Sequence, residues 1–275
     1  MNFAALMMLQ IEFPKWIKPV FLELGPVQLR WYGLMYMISF VAGYFLLKRL
    51  VKLKKLALTT DDLYDLLFFL ILGVMIGGRI GYVLFYDFSS YIQRPIEVLY
   101  IWQGGMSFHG GFIGVVLATL FLCWRRGWKF WEISDLVCAG FPIGLGLVRL
   151  GNFINGELYG RVTTLPWGVI FPAGGDMPRH PSQIYEAFFE GIVLFAILWF
   201  VRTRVRQPNG VLTGLFFIFY AIFRIVVENF REPDASLILG VTRGQFFSFF
   251  LIAIGLAFVI VARLRPSFPK KDFRA

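Results

Sequence analysis

Charge is what this sequence has least of. Asp, Glu, Lys and Arg make up 16% of its 275 residues, against roughly 25% in a soluble globular chain. Cysteine is scarce too. Cys123 and Cys138 are the only two and both lie in apolar stretches, which excludes a disulfide framework and a cysteine metal cluster. No GxxxxGK[ST] phosphate loop, no HExxH, no GxSxG elbow and no acidic cluster suited to a metal occurs. No repeat of fixed period is visible and the two halves do not resemble each other, which weighs against a transporter built from repeats. Met1 to Val20 lacks the basic start, compact apolar run and cleavage site of a signal peptide. The first span is therefore expected to remain as a permanent anchor.

What fills the chain is apolar. Hydrophobic residues make up 58%, with 32 phenylalanines and eight tryptophans, and the mean hydropathy is +0.68. Side chains of this kind in this number need a bilayer as solvent. At about 20 residues per span, the length holds six to eight crossings. The expectation is an all-α membrane protein forming one integral domain over residues 1–275. Apolar runs place about seven transmembrane helices near 27–50, 62–86, 105–124, 132–149, 182–201, 211–230 and 245–262. Residues 151–181, rich in Gly, Pro and Asn, read as a small extracytoplasmic head between spans four and five.

The formal charge of +10 follows this map. Sixteen basic residues cluster after spans one, three, five and seven: Lys48 to Lys55, Arg125 to Lys129, Arg202 to Arg206, and Arg263 to Arg274. Six acids share those regions, and the rest of the chain carries eleven charges of each sign. Basic loops stay in the cytoplasm, so the N-terminus is expected outside and the C-terminus inside. The surplus needs no nucleic acid to explain it.

Polar groups within a span are costly and mark function by default. Five clusters stand out, all toward the outer side. Arg30 and Trp31 suit interfacial anchors, while Tyr32 lies deeper. His109 opens the third span between Gly104-Gly105 and Gly110-Gly111, where glycine admits close approach and an imidazole suits a general base. Arg149, Asn152, Asn155, Glu157 and Gly160 are the richest group; Arg149 and Asn152 share a face if the helix reaches that far, and Arg is a natural fork for phosphate. Gln183, Glu186 and Glu190 form a polar stripe expected to face the bundle interior, next to Arg179 and His180. Tyr220, Arg224 and Glu228 recur at four-residue steps and project to one side of the sixth span, with Arg231 continuing outward. A buried ion pair that fixes packing or a polar cavity accounts for that alignment. Together these groups suit an anionic lipid headgroup.

Arg149-x-Gly151-Asn152-Phe153-x-Asn155-x-Glu157-x-x-Gly160 closely resembles the signature of bacterial prolipoprotein diacylglyceryl transferases. The resemblance extends over nearly the whole chain through Arg30 to Gly33, Gly104 to Gly111, Pro166 to Val169, Arg179 to Glu186 and Phe223 to Asp234. Arg243 departs from it, standing where Met is more usual. The resemblance implies transfer of the diacylglyceryl group of phosphatidylglycerol to the lipobox cysteine of a preprolipoprotein, with release of glycerol 1-phosphate, in the bacterial cytoplasmic (inner) membrane. On that basis Arg149 and Arg224 bind phosphate, and His109, with Tyr220 second, is the base for the thiol. Tyr32, Asn152, Asn155 and Glu157 line the substrate site, Glu228 holds Arg224, and Gly160 lets the chain turn. The inventory calls for no metal and no organic cofactor. Another membrane lipid-headgroup transferase, or a transporter, remain the alternatives.

Overall fold

The computed structural model describes residues 11–24, 27–233 and 237–265. Asp234, the cluster residues Lys270, Lys271 and Arg274, and the first ten residues lie outside that range. Seven described helices are long and apolar enough to cross a membrane. They are α1 (Trp31–Lys54), α2 (Thr60–Phe85), α4 (Phe108–Arg126), α5 (Phe130–Ile154), α6 (Ser182–Arg204), α7 (Val211–Glu228) and α8 (Arg243–Leu264). A short helix α3 (Phe88–Gln93) precedes α4. This is a multi-pass, all-α membrane protein.

Local chemistry sets the helix ends. Thr59 and Asp62 form a reciprocal capping box at the start of α2, with Asp62 N–H donating to Thr59 Oγ1 at 3.1 Å and Thr59 N–H to Asp62 Oδ2 at 2.8 Å. Thr242 and Gln245 do the same for α8. Ser107 caps α4, and Gly127 ends it in the left-handed conformation.

The chain divides into two compact units. Residues 44–136 form one. Its centre is a glycine seam: a methyl group added at Gly73 would stand 2.6 Å from Gly114 O, and one at Gly81 2.7 Å from Gly110 Cα. With no side chains between them, α2 and α4 meet backbone to backbone, which is how helices gain contact in lipid. Arg126 at the end of α4 pairs with Asp62 and Asp65 at the start of α2.

Residues 1–43 and 137–275 form the other unit. Here Gly146 on α5 faces Gly191 on α6, and Gly214 on α7 faces Gly255 on α8. A small part outside the long helices belongs to the same unit. Strand β1 (Ile11–Glu12) pairs in parallel with β4 (Val169–Ile170), and β2 (Val20–Leu24) pairs antiparallel with β3 (Val27–Arg30). Phe13, Val169 and Phe171 form its buried core, with Phe153 and Tyr159 packed alongside.

The helices are longer than the apolar runs in several places. α5 continues through Ile154, so Arg149 and Asn152 both lie inside it and share a face. α6 reaches Arg204 and buries Arg202 to 6% exposure, where the sequence suggested an open loop residue.

Candidate active site

The site is assembled from the ends of three helices in the second unit. Arg149 approaches from α5, Glu186 and Glu190 from α6, and Arg224 and Glu228 from α7. Arg231 folds back from just beyond α7. Glu186, with no exposed surface, is the hub: Arg224 Nη1 lies 2.5 Å and Arg231 Nη1 2.8 Å from its Oε1, and Arg149 Nε lies 3.2 Å from its Oε2. Arg224 Nη2 is 3.0 Å from Glu228 Oε2, one turn along the same helix. Glu190 is equally buried, 3.9 Å from Arg149 and 3.8 Å from Arg224, with no hydrogen-bond donor on either oxygen. Three cations and three carboxylates thus balance formally.

A charge buried in this way needs partners of the opposite sign, and removing one member leaves the others uncompensated. Arg149 and Arg224 keep 17% and 14% of their side chains exposed. Each arginine is thus held by carboxylates and keeps only a small part of its side chain exposed. Tyr220 lies one turn before Arg224, its ring stacked on Phe216 at 6.0 Å, and its phenol feels the charges of Glu190, Arg224 and Arg149.

Two backbone features make this convergence work. Ala187–Val193 of α6 is wound as a π-helix, a form that occurs mainly at functional sites. It widens the turn between Glu186 and Glu190 and presents both to the same arginines. Gly244, in the first turn of α8, leaves room for Glu228; a methyl group there would stand 2.6 Å from Glu228 Oε2.

A second polar group surrounds Glu157. Asn152 Nδ2 and Asn155 Nδ2 donate to Glu157 Oε1 at 2.8 and 3.1 Å, and Gln183 Nε2 donates to the Glu157 carbonyl at 2.6 Å. Tyr32 packs on the same helix end, its ring 3.1 Å from where a methyl group on Gly151 would stand. Gly160 differs from expectation. The left-handed residues are Gly156 and Leu158, so the turn is made there. Gly160 instead permits close approach: its N–H donates to His180 O at 2.8 Å, and a methyl group would meet His180 Cβ at 2.7 Å. Arg161 N–H donates to Phe230 O at 2.9 Å, which draws the chain after α7 inward and explains why Arg231 is 4% exposed rather than turned outward.

His180 accepts or donates at Nδ1 to Tyr185 Oη at 3.2 Å, and Trp167 Nε1 donates to the same hydroxyl at 2.7 Å. Burial holds the His180 imidazole below its ordinary range. Arg179 lies 3.0 Å from Glu232 and over the Tyr159 ring. His109 belongs to the other unit, exposed in the first turn of α4 and edge-on to Phe108 at 5.8 Å. Arg243 is exposed at the start of α8, and nothing in the structure explains its identity. Glu186 and Glu190 face inward as their spacing suggested, though without an assigned role, whereas Arg231 was expected to continue outward and Gly244 was given no part in the site.

A family model described as prolipoprotein diacylglyceryl transferase matches residues 19–261. The chain belongs to that family. It is 50% identical over 258 residues to the phosphatidylglycerol–prolipoprotein diacylglyceryl transferase of Geobacter sulfurreducens, covering 93% of this chain and 98% of that protein. It is 48% identical over 248 residues to the enzyme of the same name from Desulfotalea psychrophila (87% and 91% covered). The enzyme of the same name from Mannheimia succiniciproducens is 47% identical over 262 residues (94% and 97%). As a member of the prolipoprotein diacylglyceryl transferase family, the chain spans nearly the full length of these relatives.

Proposed function

We propose that this protein transfers the diacylglyceryl group of phosphatidylglycerol to the lipobox cysteine thiol of a preprolipoprotein signal peptide, forming a thioether and releasing glycerol 1-phosphate. The observation that carries this reading is the pair of converging arginines, Arg149 and Arg224, each partly exposed and held by buried carboxylates. A phosphodiester meets two forks whose orientation is already fixed, so no reorganisation is needed when charge develops on the leaving phosphate. Glu228 and Glu186 orient Arg224, and Asn152, Asn155, Glu157 and Tyr32 receive the remainder of the headgroup.

The nucleophile belongs to the peptide. A thiol ionises near 8.5 and attacks as thiolate, so a base must take its proton. His109 is assigned that role, with Tyr220 as the second candidate. The thiolate then forms the carbon–sulfur bond as the carbon–oxygen bond to phosphate breaks, and the arginines receive the negative charge. The protein sits in the bacterial cytoplasmic membrane with residues 151–181 as an extracytoplasmic part of a single membrane domain, the N-terminus outside and the C-terminus in the cytoplasm.

The test is incubation of the purified protein with phosphatidylglycerol and a lipobox peptide, read by mass. The peptide gains one diacylglyceryl group, and replacing its cysteine by serine abolishes the gain, because a hydroxyl without activation is a far weaker nucleophile. Equal modification of the serine peptide refutes the thiol mechanism.

A further inference from the structure

Arg79 is the one charged residue in the last two-thirds of α2, inside a span of mean hydropathy 2.1, and it is 5% exposed. A cation at such a place is expensive and calls for a reason. Its contacts supply one. Nε donates to Val98 O at 2.8 Å, Nη2 to Glu97 O at 2.5 Å, and Nη1 to Gly104 O and Gly105 O at 2.7 and 3.2 Å. The guanidinium also lies over the Tyr91 ring at 5.1 Å. One side chain thus gathers the carbonyls of two separate stretches of the connection between α2 and α4.

The connection is shaped for this grip. Gly104 and Gly105 have φ of +91° and +76°, a conformation that L side chains rarely adopt. Those angles accompany two carbonyls turned onto Nη1. A methyl group on Gly105 would also stand 2.8 Å from Arg79 Nη1 and from the Tyr82 ring. Directly after them Ser107 N–H donates to Gly78 O at 2.9 Å, and Ser107 Oγ accepts from Gly110 N–H at 3.2 Å. His109 is the second residue after that anchor. The backbone leading to it is therefore tied to α2 at residues 97, 98, 104, 105 and 107.

We propose that Arg79 is a positioning residue for the transfer reaction: it fixes the connection entering α4 and through it the place of the His109 imidazole. This rests on the assignment of His109 to the thiol proton. Lysine cannot replace it, because a single ammonium cannot reach carbonyls that are now met by three nitrogens of a planar fork.

The experiment follows the two histidines by NMR in lipid nanodiscs with ring-labelled full-length protein. His180, in the other unit, serves as internal reference. Arg79→Lys is expected to keep the KM for phosphatidylglycerol within about twofold, lose at least about tenfold in kcat, and move the His109 ring signals while those of His180 stay. A purely structural role predicts loss of folded protein with unaltered kcat per folded molecule. Should Arg79→Lys fail to fold, Gly104→Ala decides by the same readings, since its added carbon meets nothing within 4 Å and only the backbone angle is disturbed. Wild-type kcat in the folded variant, or a kcat loss with unmoved His109 signals, overturns the proposal. A fully active His109→Gln protein instead overturns the role given to His109, and is distinguished because the ring shift in Arg79→Lys reports positioning by itself.

Discussion

At the scale of single residues, the anion-binding role proposed for Arg149 and Arg224 depends on geometry more than on charge. Lysine retains the charge of Arg149 or Arg224 but loses the planar group that can meet carboxylate and the proposed phosphate at once. Each Lys variant is expected to lose at least about tenfold in transfer rate, equivalent to about 1.4 kcal/mol of transition-state stabilisation. Arg224→Ala removes one of the three arginines on Glu186 and the arginine paired with Glu228, so thermal unfolding should show a loss of about 3–5 kcal/mol besides inactivity. Arg206, exposed after α6, is the control whose Ala variant turns over normally; Arg202, buried at the end of the same helix, is unsuited to that purpose. Well-folded Arg149→Ala and Arg224→Ala proteins with normal turnover would remove the anion site. His180 gives a pH signature of its own. Burial lowers its folded-state pKa, so between that value and its unfolded value the unfolded chain binds the extra proton, and stability falls as pH falls through that window. Histidine titration should place its midpoint below that of a free imidazole, and a midpoint at or above it contradicts the burial.

At the scale of elements, helix spacing carried much of the site and helix irregularity carried the rest. Tyr220, Arg224 and Glu228 are legible as one face because four-residue steps drift slowly around an ordinary helix, and α7 is ordinary there. Glu186 and Glu190 are legible as inward-facing by the same rule. Their focus on one pair of arginines is not, because it depends on the π-wound turn between Ala187 and Val193, which leaves no periodic trace. Arg79 is legible as a charge inside an apolar run, but its task is not: its acceptors are backbone carbonyls 18 to 26 residues away, and a carbonyl has no residue type to recognise. Arg231 read as outward because it follows the end of α7, whereas backbone pairing of Gly160 with Arg231 turns it back. The element argument makes its own prediction. Gly191 faces Gly146 so closely that a methyl group would stand 2.8 Å from Gly146 Cα, and Arg149 lies one turn beyond Gly146 on α5. Gly191→Val should push α5 from α6, cost about 1–3 kcal/mol of stability by overpacking, and slow transfer by drawing Arg149 off Glu186. Unaltered melting and turnover in that variant would show that the contact does not set the arginine.

At the scale of the whole molecule, the sidedness of the chain rests on charge and is reinforced within each unit by ion pairs. Basic clusters occupy the C-terminal ends of α1, α4, α6 and α8 and the residues after them, and the whole net charge of +10 resides in those regions and the connections they lead into. Within residues 44–136, the pairing of Arg126 with Asp62 and Asp65 brings the end of α4 beside the start of α2, as it must if both border one membrane face. In the other unit, Arg149, Glu186, Arg231 and Gly244 bring together the end of α5, the start of α6, the chain after α7 and the start of α8. That is the arrangement alternating crossings require, and within this unit the arginine cluster lies at the helix ends opposite those that lead into the basic stretches after α6 and α8. Lys and Arg accumulate on the cytoplasmic side, so the proposed orientation turns the cluster outward, where a secreted peptide would present its cysteine. Reporter tags placed after Lys55, Arg126, Arg206 and Ala275 should therefore signal cytoplasm, and a tag at Gly174 should signal the outside. The Gly174 tag is the decisive one. It lies in the loop bracketed by Arg149 and Glu186, so a cytoplasmic signal there would put the phosphate-binding forks on the wrong side of the membrane for the proposed peptide substrate.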